Sequence, residues 1–461
     1  MDDGRKLQYM VAFAVSLFTT TMGMINSWTL SMLMNFWYNQ TNTKIEDVEV
    51  NWFYRMIPIG LVVGSVAAGY LCDRFGRRTT ILIAVVTSTC ASVLSAVATT
   101  AWMLFMTHIL WTSSWGIMSS AVNIYMAEIV DPDIRGGLIV TTRCMYNFGS
   151  LLSIWIKPTS PKLLNGWLIA LPILSFAAIY PIPESPYYLL KAGKEDEARK
   201  AFMRLQENFG TQEIEPGFQR MRVHAKLELE NPNTFIDFLS DNIYRKAVII
   251  TFGLELIFLL SGTTAIPDHF LTILSECKIN FSPWKMLVLD VVIKIVIGIL
   301  SALLIDTVGR RILLLSSLIG CSISMAIMGL FFAERDEIAS LKVYGHITFA
   351  ALIVYLISTS LRHIKDVIQV EVFPLNIRPM AVGTLYTLEG LDYPINNGFA
   401  NLKIGVFVIY WIYAAVACAG YVFTYYLLPE TKGLSLKEIQ EMLRGGDGHE
   451  QEMTDNDRSN R

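Results

Sequence analysis

Long apolar runs recur along the chain, and their number and spacing predict its architecture. A helix needs about 20 mostly apolar residues to cross the hydrocarbon core of a bilayer. Twelve runs of this kind lie near 9–33, 51–72, 79–99, 102–128, 138–157, 165–182, 246–274, 284–305, 311–333, 345–373, 380–400 and 404–428. The eleventh is the weakest, because Glu389, Asp392 and Pro394 interrupt it. The pattern therefore predicts an all-α membrane protein with twelve transmembrane helices.

Polar stretches divide the twelve runs into two groups of six. We expect an N-terminal six-helix bundle over 1–182, a cytoplasmic helical linker over 183–245, a C-terminal six-helix bundle over 246–428 and a cytoplasmic tail over 429–461. The linker contains KEDEARKAFMRLQENF, in which opposite charges three to four residues apart favour an amphipathic helix. The tail ends in GGDGHEQEMTDNDRSNR, so we expect it to be largely disordered.

Composition agrees with a membrane protein and argues against several other classes. Only 17% of the 461 residues are charged, whereas soluble domains carry about 25%. Mean hydropathy is +0.44, and a net charge of −3 gives no indication of nucleic acid as a partner. The six cysteines are not spaced like a metal site or a disulfide framework. No phosphate-binding loop, dinucleotide fingerprint or nucleophile arrangement occurs, so we predict neither an enzyme nor a bound cofactor or metal.

Basic residues in the short loops predict the orientation. DRFGRR at 73–78, DTVGRR at 306–311 and the polar middle stretch fall on one side of a twelve-span chain. Loops rich in Lys and Arg face the cytoplasm, so this side and both termini are predicted to be cytoplasmic. Glycosylation sequons at Asn39 and Asn280 fall on the opposite side. We therefore expect a multi-pass protein of the plasma membrane.

The two groups of helices carry matching motifs at matching positions. DRFGRR follows the second run and DTVGRR the eighth, while EIVDPDIRGG follows the fourth and EVFPLNIRPM the tenth. Two repeated six-span halves are typical of transporters whose substrate site lies at the midplane between them. The paired acids and arginines predict ion pairs that hold one end closed while the cavity faces outward. Within the motifs, we expect Glu128 to pair with Arg135 and Glu371 with Arg378.

These motifs resemble those of the sugar porter family of the major facilitator superfamily. The resemblance covers nearly the whole chain and rests on GYLCDRFGRR, YMAEIVDPDIRGG, PESPYYLLKAGKEDEARKAF, DTVGRR, EVFPLNIR and PETKGLSLKEI. The tract beginning PESPYYLL looks most like insect facilitated trehalose transporters, of which the chain would be a divergent member. The resemblance implies alternating access between two six-helix bundles. It also implies a conformational gate formed by Asp73, Arg74, Gly76, Arg77, Arg78, Glu128, Arg135, Glu184, Asp306, Gly309, Arg310, Arg311, Glu371, Arg378 and Glu430.

The resemblance also implies the positions of the substrate cavity, where the chain departs from the family. Arg143 stands where the family has a glutamine, and FLLSGTT at 258–264 replaces Gln-Gln-x-Ser-Gly-x-Asn. Residues 362–366 replace Gly-Pro-x-Pro-Trp, and two asparagine positions fall near Glu389 and Asp392. The resulting cavity candidates are Arg143, Phe258, Leu259, Ser261, Thr264, Arg362, His363, Lys365, Asp366, Glu389 and Asp392.

Many of these candidates are charged, which restricts where they can lie. A charge at the bilayer centre costs about 2.5–3.5 kcal/mol on insertion scales, so these side chains should face the cavity, water or one another. Further ionisable residues in the runs are Arg55, Glu255, Asp290 and Lys294. Opposite signs are available for pairing, for example Arg143 or Lys365 with Glu389 or Asp392.

Three functions stay open at this point. The motifs favour a facilitative transporter of hexose or trehalose, and the first run lacks the aspartate of proton-coupled relatives, which favours uniport. The charged cavity motivates a transporter of a charged or zwitterionic solute. Ion pairs that lock the halves together would instead suit a non-transporting, sensor-like relative. In each case the partners are a small solute and the lipid bilayer, and a monomer is sufficient.

Overall fold

The computed structural model describes residues 5–37, 47–159, 161–205, 211–229, 245–263, 266, 270–277, 279, 281–334, 342–392, 394–395 and 405–444. These residues form helices joined by short connections, and no β-strand occurs among them. Glycosylation candidates Asn39 and Asn280, cavity candidate Thr264 and the last 17 residues of the tail, 445–461, lie outside the described residues.

Six long helices form the first half of the molecule. They are α1 Lys6–Trp37, α2 Asp47–Phe75, α3 Arg77–Val97, α4 Ala101–Ile129, α5 Pro132–Thr159 and α6 Pro161–Ile179. Local sequence explains where several of them begin. The hydroxyl of Thr100 accepts a hydrogen bond from the Met103 amide at the start of α4. Proline opens α5 and α6, where its missing N–H has no intrahelical partner to lose.

Three shorter helices follow in the polar middle stretch: α7 Pro186–Lys191, α8 Glu195–Leu205 and α9 Thr211–Leu229. Ser185 caps α7, where its hydroxyl accepts from the Tyr188 amide. Apolar side chains of the three helices, Leu189, Ala198, Ala201, Phe218 and Met221, bury one another in a cluster of their own. The amphipathic helix expected over KEDEARKAFMRLQENF is present as α8 within its described part.

The second half repeats the long helices, but within the described residues one of them is interrupted and another contains a 3₁₀ turn. Its elements are α10 Arg245–Leu260, α11 Phe270–Glu276, α12 Pro283–Val308, α13 Arg310–Ala333, α14 Lys342–Ser360, a 3₁₀ turn Leu361–His363, α15 Ile364–Val372, α16 Arg378–Gly390 and α17 Val406–Leu427. The chain leaves helical geometry after Leu260, where Gly262 adopts φ +73°. The continuous run predicted over 246–274 was therefore too long, because hydropathy averages over such a break. The run predicted over 345–373 forms one continuous span, Tyr344–Val372, that includes the 3₁₀ turn.

Outward-facing side chains and helix lengths both fit a bilayer. Eight segments of the described part are long and apolar enough to cross a membrane: Lys6–Thr29, Met56–Phe75, Arg77–Val97, Lys162–Ile179, Trp284–Val308, Arg310–Ala333, Tyr344–Val372 and Val406–Leu427. Large apolar side chains such as Val66, Trp155 and Leu303 project outward. The other runs form α4, α5, α10 with α11, and α16, which carry many of the polar residues and breaks described below.

The two halves meet along two pairs of helices. α5 packs against α12, and α2 packs against α16. At the end of this interface, the amide of Gly137 donates to Asp306 Oδ2 over 2.7 Å. The largest hydrophobic core runs through both halves and includes buried residues of α1, α4, α10 and α15, and a second core lies within the second half.

Part of the C-terminal tail is ordered, contrary to the expectation of a largely disordered segment. Residues Leu436–Arg444 form helix α18. Its apolar face buries Leu436, Ile439 and Leu443, and the helix packs on α15. The sequence signal was available, because apolar residues recur every three to four positions in LSLKEIQEML.

Candidate functional site

The repeated motifs meet at one end of the helix bundle, which we call the motif end. Gly76, with φ +96°, separates α2 from α3, and Gly309, with φ +106°, separates α12 from α13. An L-residue is strained at such angles, and a Cβ at Gly76 would lie 2.5 Å from Glu184 Oε2. Both matching turns therefore need glycine.

A glutamate from a distant motif caps the helix after each glycine. Glu184 Oε1 accepts from the amides of Arg77 and Arg78 over 2.9 and 3.0 Å. Glu430 accepts from the amides of Arg310 and Arg311, on Oε1 and Oε2, over 2.9 and 3.0 Å. A carboxylate satisfies the free N–H groups of a helix N-terminus and complements its dipole. Burial raises the pKa of the Glu184 carboxyl, while these N–H donors oppose the shift.

Two further glutamates bind arginines from both halves. Glu128 contacts Arg77 of its own half, with Nε 3.0 Å from Oε2, and Arg378 of the second half, with Nη1 3.3 Å from Oε1. Glu371 contacts Arg310 of its own half over 3.4 Å and Arg135 of the first half over 3.7 Å. All of these side chains are nearly fully buried. The arrangement is the same in both halves and closes the motif end.

The pairs expected within each motif, Glu128 with Arg135 and Glu371 with Arg378, are therefore wrong. The two arginines exchange partners between the halves. Helix α4 ends at Ile129 and the chain turns before α5 begins at Pro132, so Arg135 is carried toward the second half. Each of the two glutamates also accepts a hydrogen bond from a hydroxyl group. Ser185 donates to Glu128 over 2.5 Å, and Thr431 donates to Glu371 over 2.8 Å.

The remaining gate candidates also lie at the motif end. Asp306 forms an ion pair with Arg310 over 2.9 Å, in addition to its bond from Gly137. Asp73 pairs with Lys191 over 2.7 Å, and Lys191 also donates to the carbonyl of Asn376 in the second half. The carbonyl of Arg74 accepts from the hydroxyl of Tyr188, and the guanidinium of Arg311 donates to the carbonyl of Tyr425.

Deeper in the bundle, six charged side chains form what we call the interior charge cluster: Arg143, Glu255, Arg362, Lys365, Asp366 and Glu389. They form four ion pairs, of which the longest joins Lys365 Nζ to Asp366 Oδ1 over 3.6 Å. Arg143 Nη2 lies 3.1 Å from Asp366 Oδ2 and joins the two halves. Lys365 Nζ lies 2.5 Å from Glu255 Oε2, and Arg362 Nη2 lies 2.8 Å from Glu389 Oε1.

Neutral groups and a histidine extend the cluster. Gln369 Nε2 donates to Glu255 Oε2 over 2.7 Å, and Arg362 Nη1 donates to the Thr263 hydroxyl over 2.7 Å. His363 Nδ1 lies 3.4 Å from Asp366 Oδ2. Since three bases face three acids, the cluster carries no net formal charge.

The partners in this cluster differ from those the sequence suggested. Arg143 and Lys365 were expected to meet Glu389 or Asp392, yet they contact Asp366 and Glu255. In an unbroken helix, residues three and four apart share a face. The 3₁₀ turn at Leu361–His363 instead lets Arg362 reach α16 while Lys365 and Asp366 reach α10 and α5.

Other predicted cavity residues are packed rather than available to a solute. Phe258 and Leu259 are buried at the end of α10. The hydroxyl of Ser261 donates to the Phe258 carbonyl over 3.0 Å. Asp392 is buried just after α16, and Asp290 pairs with Lys294 within α12 over 2.7 Å. The side chain of Arg55 lies outside the described residues.

A narrow cleft opens in the first half between α1, α4 and α5. Its empty space, including the open mouth, is about 240 Å³. Polar residues dominate the lining, which consists of Thr19, Ser119, Asn123, Thr142, Arg143 and Tyr146, with two apolar side chains. Asn123 Nδ2 donates across the halves to the Tyr386 hydroxyl over 2.5 Å. Only Arg143 had been singled out from the sequence, since scattered Ser, Thr and Asn in apolar helices form no motif.

Two kinds of comparison link the chain to known transporters. Residues 7–443 match the family model described as "Sugar (and other) transporter". The facilitated trehalose transporter of Polypedilum vanderplanki is 26% identical over 95% of this chain and 88% of that protein. That of Bombyx mori is 25% identical over 95% and 87%. That of Drosophila willistoni is 26% identical, but the chain covers only 51% of its length.

Solved structures show the same fold. The proton:xylose symporter XylE bound to 6-bromo-6-deoxy-D-glucose has a TM-score of 0.80 at 19% identity, covering 95% of this chain and all of that one. An inward-open form of XylE from E. coli has a TM-score of 0.63 at 20% identity, covering 95% and 99%. The resemblance drawn from the motifs is thereby confirmed. The chain belongs to the sugar transporter family, as a multi-pass membrane protein with the twelve-helix major facilitator fold.

Proposed function

We propose that the protein is a facilitative transporter of a neutral sugar, hexose or trehalose, that works as a uniporter. One observation carries the proposal: the charges of the interior charge cluster bind one another and cancel. A charged solute would need an uncompensated charge of opposite sign, because burying an unpaired ion is costly. A sugar needs hydrogen-bonding groups and no net charge.

Alternating access supplies the mechanism. The structure has its motif end closed by Glu128 and Glu371, each bound to an arginine of the other half. Opening that end requires the contacts of Arg378 and Arg135 to part, while the contacts within each half can persist. A non-transporting relative would need a permanent lock, but ion pairs repeated symmetrically in both halves suit a reversible one.

Orientation and location form part of the same proposal. The Lys and Arg residues in the loops of the motif end support an orientation in the plasma membrane in which that end and both termini lie in the cytoplasm. The bundles span 1–182 and 246–428, with the linker 183–245 and the tail 429–461 on the cytoplasmic side. Asn39 and Asn280 then face outward as glycosylation candidates.

Uptake of radiolabelled trehalose and glucose into oocytes that express the protein tests the transport activity. We expect saturable uptake that excess unlabelled sugar abolishes and that glutamate or choline leaves unchanged. Dissipating the proton gradient should not reduce it. Absence of uptake despite measured surface expression would contradict the proposal.

A further inference from the structure

Within its described residues, the second half offers few free groups to a sugar. Arg362, Lys365 and Asp366 are engaged in ion pairs, and Thr263 accepts from Arg362. Phe258 is packed in the core. A sugar bound only there would have to displace charge-assisted hydrogen bonds, which are stronger than those it could form in exchange.

The cleft between α1, α4 and α5 offers a different environment. The Ser119 hydroxyl is 3% exposed and has no hydrogen-bond partner within the described part of the chain. Thr19 and Thr142 donate to carbonyls of their own helices, which leaves their oxygens able to accept. Buried polar groups are normally paired, so an unpaired hydroxyl lining a polar cleft indicates a site that a ligand completes.

One aromatic side chain, Tyr146, lines the cleft. The ring of Tyr146 packs edge-on against Trp115, with ring centroids 4.7 Å apart. Such a pair holds the tyrosine in a fixed orientation. Hydroxyls, an amide and a rigid aromatic ring are the groups that a neutral polyhydroxylated ring requires.

Two residues of the cleft also hold the other half of the molecule. Arg143 pairs with Asp366, and Asn123 donates to Tyr386. The Asn123 amide could donate to a sugar hydroxyl in place of Tyr386, whereas the Arg143–Asp366 ion pair is too strong for a neutral hydroxyl to replace. A ligand in the cleft would therefore compete directly with one contact that joins the two halves.

We propose that sugar is recognised mainly in the first half, in the cleft formed by Thr19, Ser119, Asn123, Thr142, Arg143 and Tyr146, and that binding releases Asn123 from the second half. This inference rests on the proposed sugar transport. The enclosed volume of the cleft is only about 10 Å³, far below the roughly 300–1,000 Å³ of typical ligand pockets. The cleft must therefore widen as the halves separate, which links recognition to movement.

Three matched serine-to-alanine variants test the location. Ser119→Ala removes the hydroxyl of the cleft, Ser261→Ala removes the one in the second half, and Ser120→Ala removes one that donates to Gly116 within α4. Ser119→Ala should raise the trehalose or glucose concentration for half-maximal uptake about two- to tenfold, the effect of one lost hydrogen bond. Ser120→Ala should leave it unchanged. A rise for Ser261→Ala with none for Ser119→Ala overturns the cleft assignment while leaving sugar transport intact.

A labelling measurement gives a second readout that does not depend on transport rate. In surface-expressed Ser119→Cys protein, trehalose or glucose should slow alkylation by a maleimide at that position, whereas in Ser261→Cys protein it should not. Equal protection at both positions, or protection only at the second, would overturn the inference. Failure of the unmodified protein to take up either sugar would instead overturn the proposed function on which it rests.

Discussion

At the scale of single residues, the charges of the interior are stabilised only as pairs. Arg143 and Asp366 come from different halves and are both largely buried. Replacing both members of a buried pair is often tolerated, whereas removing one leaves an uncompensated charge and costs about 3–5 kcal/mol. The closed form is therefore stable only while the Arg143 guanidinium and the Asp366 carboxylate are both present.

A double-mutant cycle at this pair tests that coupling. Asp366→Asn should strongly lower the melting temperature of the purified protein, because Arg143 loses its counter-charge. Adding Arg143→Gln should restore most of the loss. The control is Lys194→Gln, whose ammonium forms an exposed ion pair with Glu197 and should matter little. Additive losses at Arg143 and Asp366 would show that the two do not interact.

Residue identity was more predictable than residue pairing. The sequence singled out five of the six members of the interior charge cluster as cavity residues and noted the sixth, Glu255, only as an ionisable residue in a span. Gln369 was missed, although it lies four residues after Lys365 on the same helix. Partners depend on which helices meet, and neither a motif nor a hydropathy profile contains that information.

At the scale of elements, the second half differs from the first by its broken helices. α10 ends in a turn at Gly262, and α14 passes through the 3₁₀ turn before α15. The Tyr355 hydroxyl donates to the Gly262 carbonyl over 2.9 Å and so satisfies a backbone group freed by the break. Helix number and approximate position followed from the sequence. The breaks did not, because each spans only a few residues.

Substitution at Gly262 tests how strictly the break is defined. Gly262→Ala should destabilise the protein, since φ is +73° and the new Cβ would lie 2.5 Å from Tyr413 Cδ2. A lower melting temperature and less surface protein are expected. Gly166→Ala is the control, because its Cβ would meet nothing within 4 Å. Equal behaviour of the two variants would argue against a required left-handed residue at 262.

At the scale of the whole molecule, closure of the motif end rests on a few contacts that cross between the halves. Arg135 and Arg378 provide such contacts, whereas Arg77 and Arg310 bind the same glutamates from within their own halves. The two sets of arginines therefore have different roles. One set of arginines stabilises each half, and the other stabilises one relative position of the halves.

Hydrogen exchange can distinguish these roles. Arg135→Gln should increase deuterium uptake of the peptide around Gly137, whose amide is held by Asp306 of the other half, because the open form becomes more populated. The melting temperature should change little. Lys437→Gln, at an exposed helical ion pair, serves as the control and should leave uptake of that peptide unchanged. Unchanged uptake in Arg135→Gln would show that this contact does not hold the end closed.

The balance of three bases and three acids among the six side chains of the interior charge cluster has an electrical consequence. An elementary charge that crosses the membrane field gains or loses about 2.3 kcal/mol per 100 mV. Ion pairs without net charge that move together with a neutral sugar carry no net charge across the field. The transport cycle should therefore be electrically silent. In voltage-clamped oocytes, we expect sugar to evoke no current and uptake to be the same at resting and depolarised potentials. A sugar-dependent inward current would mean that an ion travels with the substrate.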